Sequence, residues 1–412
     1  MMSDFKPKYL VMVTASANNN KMYRMIPNGD GTWTAEYGRV GSSAQKRTYS
    51  MIQWDKKYKE KIAKGYVDQS DLVEELIEVA KPKNHNPEYK VIENKAIAEI
   101  VNRLQEMAKK TISENYNISS NKVTQAMVDS AQTILIDLMD ISEIDDFNNK
   151  LLILFSTIPR KMSSVSDYLA RSKEDFSRII KVEQDLLDVM KGQVVQKLKD
   201  DEVVESSETK PMTILEALGL EFEECDELDI KKIKSALGSC EDKFYRAWRV
   251  KNLKTQERFD KFCEEESISN KKLLWHGSRN ENWWSIINTG LVLRPTNAVI
   301  TGKLYGLGCY FAPKAQKSLG YTSLSGSYWA RGNSSSAFMA LMDVAYGTPY
   351  NVYDFNSKYH SMTYELLQTF QKGANCLHAH AGASMGYSVL KNDEIVVYKE
   401  EQMTIKYLVE LR

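Results

Sequence analysis

The chain has 412 residues, of which 42% are hydrophobic and 10% aromatic, and its 55 Lys and Arg balance 55 Asp and Glu. At roughly 150 residues per domain this predicts two or three domains, and the apolar content excludes wholesale disorder. Five widely spaced cysteines (Cys225, Cys240, Cys263, Cys309, Cys376) include no CxxC pair, which argues against a zinc finger or a disulfide framework and predicts a reducing, intracellular compartment. No run approaches the ~18 apolar residues needed to span a bilayer, and Lys6 and Lys8 lead into no signal-peptide core, so no membrane partner is expected.

The neutrality is a cancellation. Residues 1–67 carry 12 basic and 5 acidic side chains, residues 91–210 carry 16 and 21, and residues 211–412 carry 24 and 23. Residues 68–90 add 3 basic and 6 acidic. Such a head can neutralise several phosphates, whereas the acidic middle cannot lie along DNA unaided. The competing reading is that Lys56, Lys57, Lys59 and Lys61 are only the solvated face of a helix.

In chain order, Tyr9 to Thr14 reads as a strand, Asn18 to Asn20 as a turn and Lys21 to Ile26 as a second strand. Asn28-Gly-Asp-Gly31 is a hairpin signal, and Thr32 to Val40 alternates into Tyr37-Gly-Arg-Val-Gly41. After Ser50 the spacing of Trp54, Tyr58 and Ile62 predicts a helix ending near Gly65, and the prolines of Lys81 to Pro87 mark a boundary. From about 91 to 200 the apolar period is close to 3.6, as in Ile97, Ile100, Val101, Leu104 and Met107, and again in Phe147, Leu151, Leu152 and Phe155. A bundle of four or more helices follows, with Ser120 or Asn121 and Ser166 as N-caps, and with Pro159 and Gly192 closing segments. The acidic stretch from Asp200 to Glu208 reads as a linker. Beyond it come short strands and loops, with Glu394 to Tyr398 and Met403 to Leu411 as closing strands.

No Walker loop, GxGxxG or HExxH occurs, and no metal site is expected. His276, Tyr310 and Glu394 each stand at the edge of a predicted strand, and singly each has a structural explanation. Together they form an ordered set: Leu273-Leu-Trp-His-Gly-Ser-Arg279, then Gly302 to Ala312 with glycines at 302, 306 and 308, then Lys317-Ser318 with Tyr321, then Glu394 before an apolar strand. This set resembles the poly(ADP-ribose) polymerases, in the subgroup that couples DNA-break sensing to ADP-ribosyl transfer. The resemblance implies a multidomain α+β protein: a small β-rich WGR domain over 1–85, an all-α regulatory bundle over 91–205, and an α+β ADP-ribosyltransferase fold over 212–412.

The resemblance also implies roles. NAD⁺ is the co-substrate, with its nicotinamide stacked on Tyr321 and its carboxamide held by the backbone of Gly277 and the hydroxyl of Ser318. His276 bonds a hydroxyl of the adenosine ribose with Ser278 beside it, Tyr310 walls the nicotinamide ribose, and Lys317 lies near the acceptor entrance. Glu394, rather than Asp393, takes the catalytic place, where a carboxylate stabilises an oxocarbenium-like charge and polarises an incoming hydroxyl. Its presence implies polymer formation, with a mono-ADP-ribosyltransferase and an inactive DNA-end-binding scaffold as the alternatives. Tyr37, Gly38, Arg39, Lys46 and Arg47 are the implied DNA-end contacts, with Tyr37 standing where the family name places Trp. An Arg position of the family's adenosine side falls on Val292, and the nearest Arg is Arg294. The partners implied are DNA ends or nicks and protein acceptors, the chain itself included, for a monomer of the nucleus or of a prokaryotic cytoplasm.

Overall fold

In the computed structural model, which describes residues 5–40, 42–72, 89–116, 123–205, 212–293, 304–384 and 390–412, contacts divide the chain into two units. The first takes in residues 1–85 and 109–194, the second residues 86–108 and 195–412.

The first unit contains an antiparallel sheet in the order β4-β3-β2-β1-β5, made of β1 (Lys8–Thr14), β2 (Asn19–Pro27), β3 (Thr32–Arg39), β4 (Gln45–Ser50) and β5 (Val67–Asp68). Gly29 and Gly31 turn β2 into β3 with φ of 80° and 82°, a region that glycine alone enters freely. Leu10, Tyr23, Met25, Trp33 and Ala35 bury one face of the sheet, and the helix Trp54–Ala63 closes over it with Trp54 edge-on to Trp33 at 5.4 Å. Leu10 and Met25 each contribute about 1.5–3 kcal/mol by leaving water. β4 has no apolar alternation to reveal it; its exposed Lys46 and Arg47 suit an edge strand, where charge blocks further pairing.

Helices Gln125–Asp137, Ile144–Thr157 and Asp175–Glu205 supply the bundle, with Phe147 stacked on Phe176 at 3.8 Å. Thr124 caps the first of these by accepting from the Met127 N–H; the expected caps Ser120 and Asn121 lie outside the described residues. Pro159 follows the end of Ile144–Thr157 as expected. Three expectations need correction. Ser166 lies inside a short 3₁₀ turn, Val165–Tyr168, rather than at a cap. Gly192 does not end its helix, which runs unbroken to Glu205. A glycine costs about 1 kcal/mol in a helix interior, and a helix of 31 residues that buries Leu186, Leu187, Met190 and Val194 around it absorbs that. The linker therefore cannot begin at Asp200, since helical backbone continues through the first part of the acidic stretch.

Arg160 is the centre of the bundle's polar core. It lies 3.1 Å from Glu183, with the two side chains 3% and 6% exposed, and it donates to the Asn115 carbonyl at 3.0 Å. Its guanidinium also covers the rings of Tyr116 and Tyr168. Burial pushes the Glu183 carboxyl up even with this partner, so the charge is held at a cost.

The second unit contains two sheets. One has the order β6-β7-β14-β10-β8, from β6 (Leu220–Glu224), β7 (Phe244–Asn252), β8 (Lys271–Gly277), β10 (Ala337–Ala345) and β14 (Met403–Leu411). The other has the order β11-β12-β13-β9, from β9 (Cys309–Phe311), β11 (Pro349–Asp354), β12 (Cys376–Ser384) and β13 (Glu394–Val397). All pairs are antiparallel except β11 with β12. Trp275 and Ala312 exchange backbone hydrogen bonds at 2.8 and 3.0 Å and so tie β8 to the end of β9.

The start of the helix Lys95–Asn115 belongs to this second unit, although the sequence reading kept 91–205 together. Its Arg103 reaches Glu410 at 2.8 Å and the Ser336 hydroxyl at 2.7 Å. Glu410 is 1% exposed, and a carboxylate so buried requires a cation. Among the described residues no helix is long and apolar enough to cross a membrane.

Replacing Arg160 with Met is expected to cost about 3–5 kcal/mol in urea denaturation of the full chain, because Glu183 would stay buried without its partner. A loss below about 1 kcal/mol would show that the pair contributes nothing specific.

Candidate active site

The cleft starts where β8 ends. A Cβ placed on Gly277 would stand 2.0 Å from the Ser318 carbonyl oxygen, so only glycine allows the helix Ala315–Leu319 to approach this closely. The Ser318 hydroxyl donates to the Trp275 carbonyl at 3.0 Å, which leaves its oxygen as an acceptor toward a ligand. His276 Nδ1 lies 3.1 Å from the Tyr310 carbonyl, which only accepts, so Nδ1 carries the proton and Nε2 is an acceptor in the neutral ring. Burial lowers the His276 pKa below its ordinary 6.5 and outweighs the opposing pull of that carbonyl. Ser278 accepts from the Asn282 side chain at 3.0 Å. The Tyr310 hydroxyl donates to the Gly306 carbonyl and accepts from the Tyr305 N–H, both at 3.1 Å, which fixes the ring as a wall.

Glu394 opens β13, whose Val396 pairs with Tyr310 of β9, and its carboxyl is buried. Lys317 donates to Glu394 Oε1, a contact foreseen for neither residue when Lys317 was placed at the acceptor entrance. Glu394 Oε2 is buried without a hydrogen-bond partner among the described residues. A buried carboxylate oxygen left bare is costly, which suits a group that takes its partner from a ligand. Tyr321 stands near enough to feel this charge: burial first, and the Glu394 carboxylate second, push its phenol well up, so it stays protonated. Trp329 stacks on Tyr321 at 6.2 Å and 18°, and is itself 58% exposed. The sequence carried no signal for Trp329, which sits among Ser and Gly without periodicity. The cleft thus joins a flat ring platform, a polar backbone corner and one carboxylate placed to stabilise positive charge or accept a proton.

The five residues expected at DNA divide. Tyr37 continues the buried face of β3 and stacks on Tyr23 at 5.8 Å, and Gly38 follows it in the strand. Arg47 pairs with Ala35 and so shares the Tyr37 face, exposed. Lys46, also implied as a DNA contact, pairs with Glu36 and bonds it at 2.7 Å on the face opposite Tyr37. Arg39 is also committed: it donates to the carbonyls of Asn18 at 2.8 Å, Met162 at 3.1 Å and Ser163 at 3.0 Å. Five-donor arginine suits such a carbonyl cluster, and its local function is to anchor the loop after Pro159. Val292 accepts a weak contact from the Cys309 thiol at 3.9 Å, while Arg294 and Gly302 lie outside the described residues.

Residues 227–412 match the family described as the poly(ADP-ribose) polymerase catalytic domain. The chain is 30% identical to the poly(ADP-ribose) polymerase-like protein 100L of invertebrate iridescent virus 6, over 41% of its own length and 87% of that protein's. To the uncharacterized protein 101L of the same virus it is 30% identical over 57% and 96%. Poly(ADP-ribose) polymerase 1 of Gallus gallus is 24% identical over 97% of this chain, which spans only 38% of that longer protein. With a cleft built from His276, Gly277, Tyr310, Ser318, Tyr321 and Glu394, and with these relatives, the chain belongs to the poly(ADP-ribose) polymerase family.

Proposed function

We propose that the chain is a DNA-break-stimulated poly(ADP-ribose) polymerase, transferring ADP-ribose from NAD⁺ to protein acceptors, itself included, elongating the polymer and releasing nicotinamide. The observation that carries the reading is Glu394: one carboxylate oxygen is held by Lys317, and the other is buried and unsatisfied in the cleft that holds Tyr321. The catalytic-domain match supports ADP-ribosyltransferase chemistry with NAD⁺ as co-substrate.

The residues suit each part of that reaction. Tyr321 offers a ring face to nicotinamide, and the Gly277–Ser318 corner offers polar backbone to its carboxamide, so the leaving group is held flat. Nε2 of His276 accepts from a ribose hydroxyl at the adenosine end. The bond between the nicotinamide nitrogen and the ribose C1′ breaks, and its electron pair leaves with nicotinamide. Positive charge builds on the ribose, and Glu394 Oε2 stabilises it while accepting a ribose hydroxyl hydrogen. An acceptor oxygen then forms the new bond to C1′, giving its proton toward the same carboxylate when that oxygen is a chain-end hydroxyl. Lys317 holds Oε1 of Glu394 and leaves Oε2 to the cleft.

Stimulation by DNA rests on the charge of residues 1–67 and on the exposed Arg47 beside Tyr37. The Arg39 contacts supply a route within the first unit, since a DNA end that competes for Arg39 loosens the carbonyls at 162 and 163. Such coupling is reciprocal, so whatever frees that loop also raises affinity for DNA.

Four outcomes test this. Glu394→Gln should leave NAD⁺ binding intact and lower transfer by about 10²–10³-fold in a labelled-NAD⁺ assay. An unchanged product ladder would refute its role. Gly277→Ala should abolish NAD⁺ binding in a titration, since the new methyl meets the Ser318 carbonyl; retained affinity would contradict the corner. Tyr37→Ala or Arg47→Ala should raise the nicked-DNA concentration needed for activation, by up to about 1–3 kcal/mol for a lost stacking face. That activation should weaken steeply with salt while NAD⁺ affinity changes far less. Equal activity with and without DNA would remove the sensing half of the proposal.

A further inference from the structure

Behind the catalytic strand, on the other face of the same sheet, stands a cluster the transferase reaction does not use. β12 pairs with β13 so that Ala379 lies opposite Glu394. Side chains of neighbouring strand residues alternate between faces, so His378 and His380 share the face away from Glu394. Asp393, one residue before Glu394, turns to that same face: its Oδ2 lies 3.0 Å from His378 Nε2. One ligand atom from each of His378, His380 and Asp393 comes within 4.8 Å of the others.

We propose that His378, His380 and Asp393 form a transition-metal site that takes Zn²⁺, on the face of the sheet opposite the catalytic cleft. Two imidazoles and one carboxylate are a borderline donor set, suited to zinc and its neighbours and poorly suited to magnesium or calcium. Ligand atoms on a tetrahedral zinc stand about 3.3 Å apart, given bonds of about 2.0–2.1 Å. The 3.0 Å between His378 and Asp393 already meets this, and His380 needs only to exchange its 2.8 Å contact with the Asn351 amide oxygen for the ion.

The surroundings are built as ligand supports. The far nitrogen of His378, Nδ1, lies 2.7 Å from the Tyr346 hydroxyl, and the far oxygen of Asp393 accepts the Ala381 N–H at 2.8 Å. Metal-binding histidines and carboxylates are usually oriented by such outer contacts. The His380 ring stacks between His378 at 4.0 Å and Tyr353 at 4.5 Å, which restricts its rotation. The Asp393 side chain is 30% exposed, which leaves an entry path for the ion and room for a water as fourth ligand. CxxC and HExxH spacings find no such site, because its ligands are joined by strand pairing and not by a local motif; this departs from the expectation of no metal.

The test uses the full chain without NAD⁺ or DNA, so its outcome is independent of the transferase proposal. After stripping with chelator and exchange into metal-free buffer, titration with ZnCl₂ should show one equivalent bound, unaffected by excess Mg²⁺. Co²⁺ in its place should give the visible bands of a tetrahedral site. His380→Ala and Asp393→Asn should each abolish this binding, and Tyr346→Phe, which keeps the packing and removes one hydroxyl, should weaken it about 10–100-fold. Absence of zinc binding by the native chain would overturn the proposal. So would zinc binding that survives both His380→Ala and Asp393→Asn, since the ion would then sit elsewhere, for instance on cysteines.

Discussion

The cleft depends on the closeness of Ser318 to Gly277. No side chain fits between the end of β8 and the helix Ala315–Leu319, and the Ser318 hydroxyl closes the gap by bonding the Trp275 carbonyl. Trp275 in turn carries the backbone exchange with Ala312 that joins the two sheets of the second unit. His276 and Gly277 on one sheet thereby face Tyr310 and Glu394 on the other, and the helix that carries Ser318 also delivers Lys317 to the carboxylate. Each contact contributes only about 1 kcal/mol net. Their value lies in holding an unsatisfied carboxylate oxygen at one fixed place.

Much of this was legible in the sequence because it is local. The motifs that carry the family resemblance each lie within a few residues, the first strand follows from the apolar, β-branched run Tyr9 to Thr14, and Met403–Leu411 follows from alternation. What stayed hidden depends on partners far along the chain. Lys317 and Glu394 are 77 residues apart, and nothing near either predicts that they pair. The resemblance implied Arg39 as a DNA contact, and nothing near it in sequence reveals the carbonyls of Met162 and Ser163 that occupy it. Lys46 falls on the strand face opposite Tyr37, which register alone reveals. Gly192 shows the reverse limit: local propensity predicts an end, and the burial of Met190 and Val194 on either side of it carries the helix through.

Charge tells a similar story. Zero net charge is a cancellation, since a basic excess in the first residues offsets an acidic middle, and several of those cations are committed to internal partners. Lys57 and Lys64 both bond Glu60, while Lys61 lies over the rings of Tyr23 and Tyr66, with burial lowering its pKa. The free cationic surface is therefore smaller than the count suggests, and Arg47 on the exposed edge strand is a better candidate for DNA than Arg39. In the second unit acids and bases nearly balance, as suits a site that holds its co-substrate by stacking and hydrogen bonds.

The central proposal is that Glu394 makes this cleft a polymer-forming transferase and that the basic residues 1–67 make it responsive to DNA. It is tested most directly by incubating the chain with labelled NAD⁺, with and without nicked DNA, and reading product size on a denaturing gel. The account predicts a long, heterogeneous ladder on the chain itself that depends on the DNA. A single ADP-ribose per site, or no label at all in the presence of broken DNA, would contradict it.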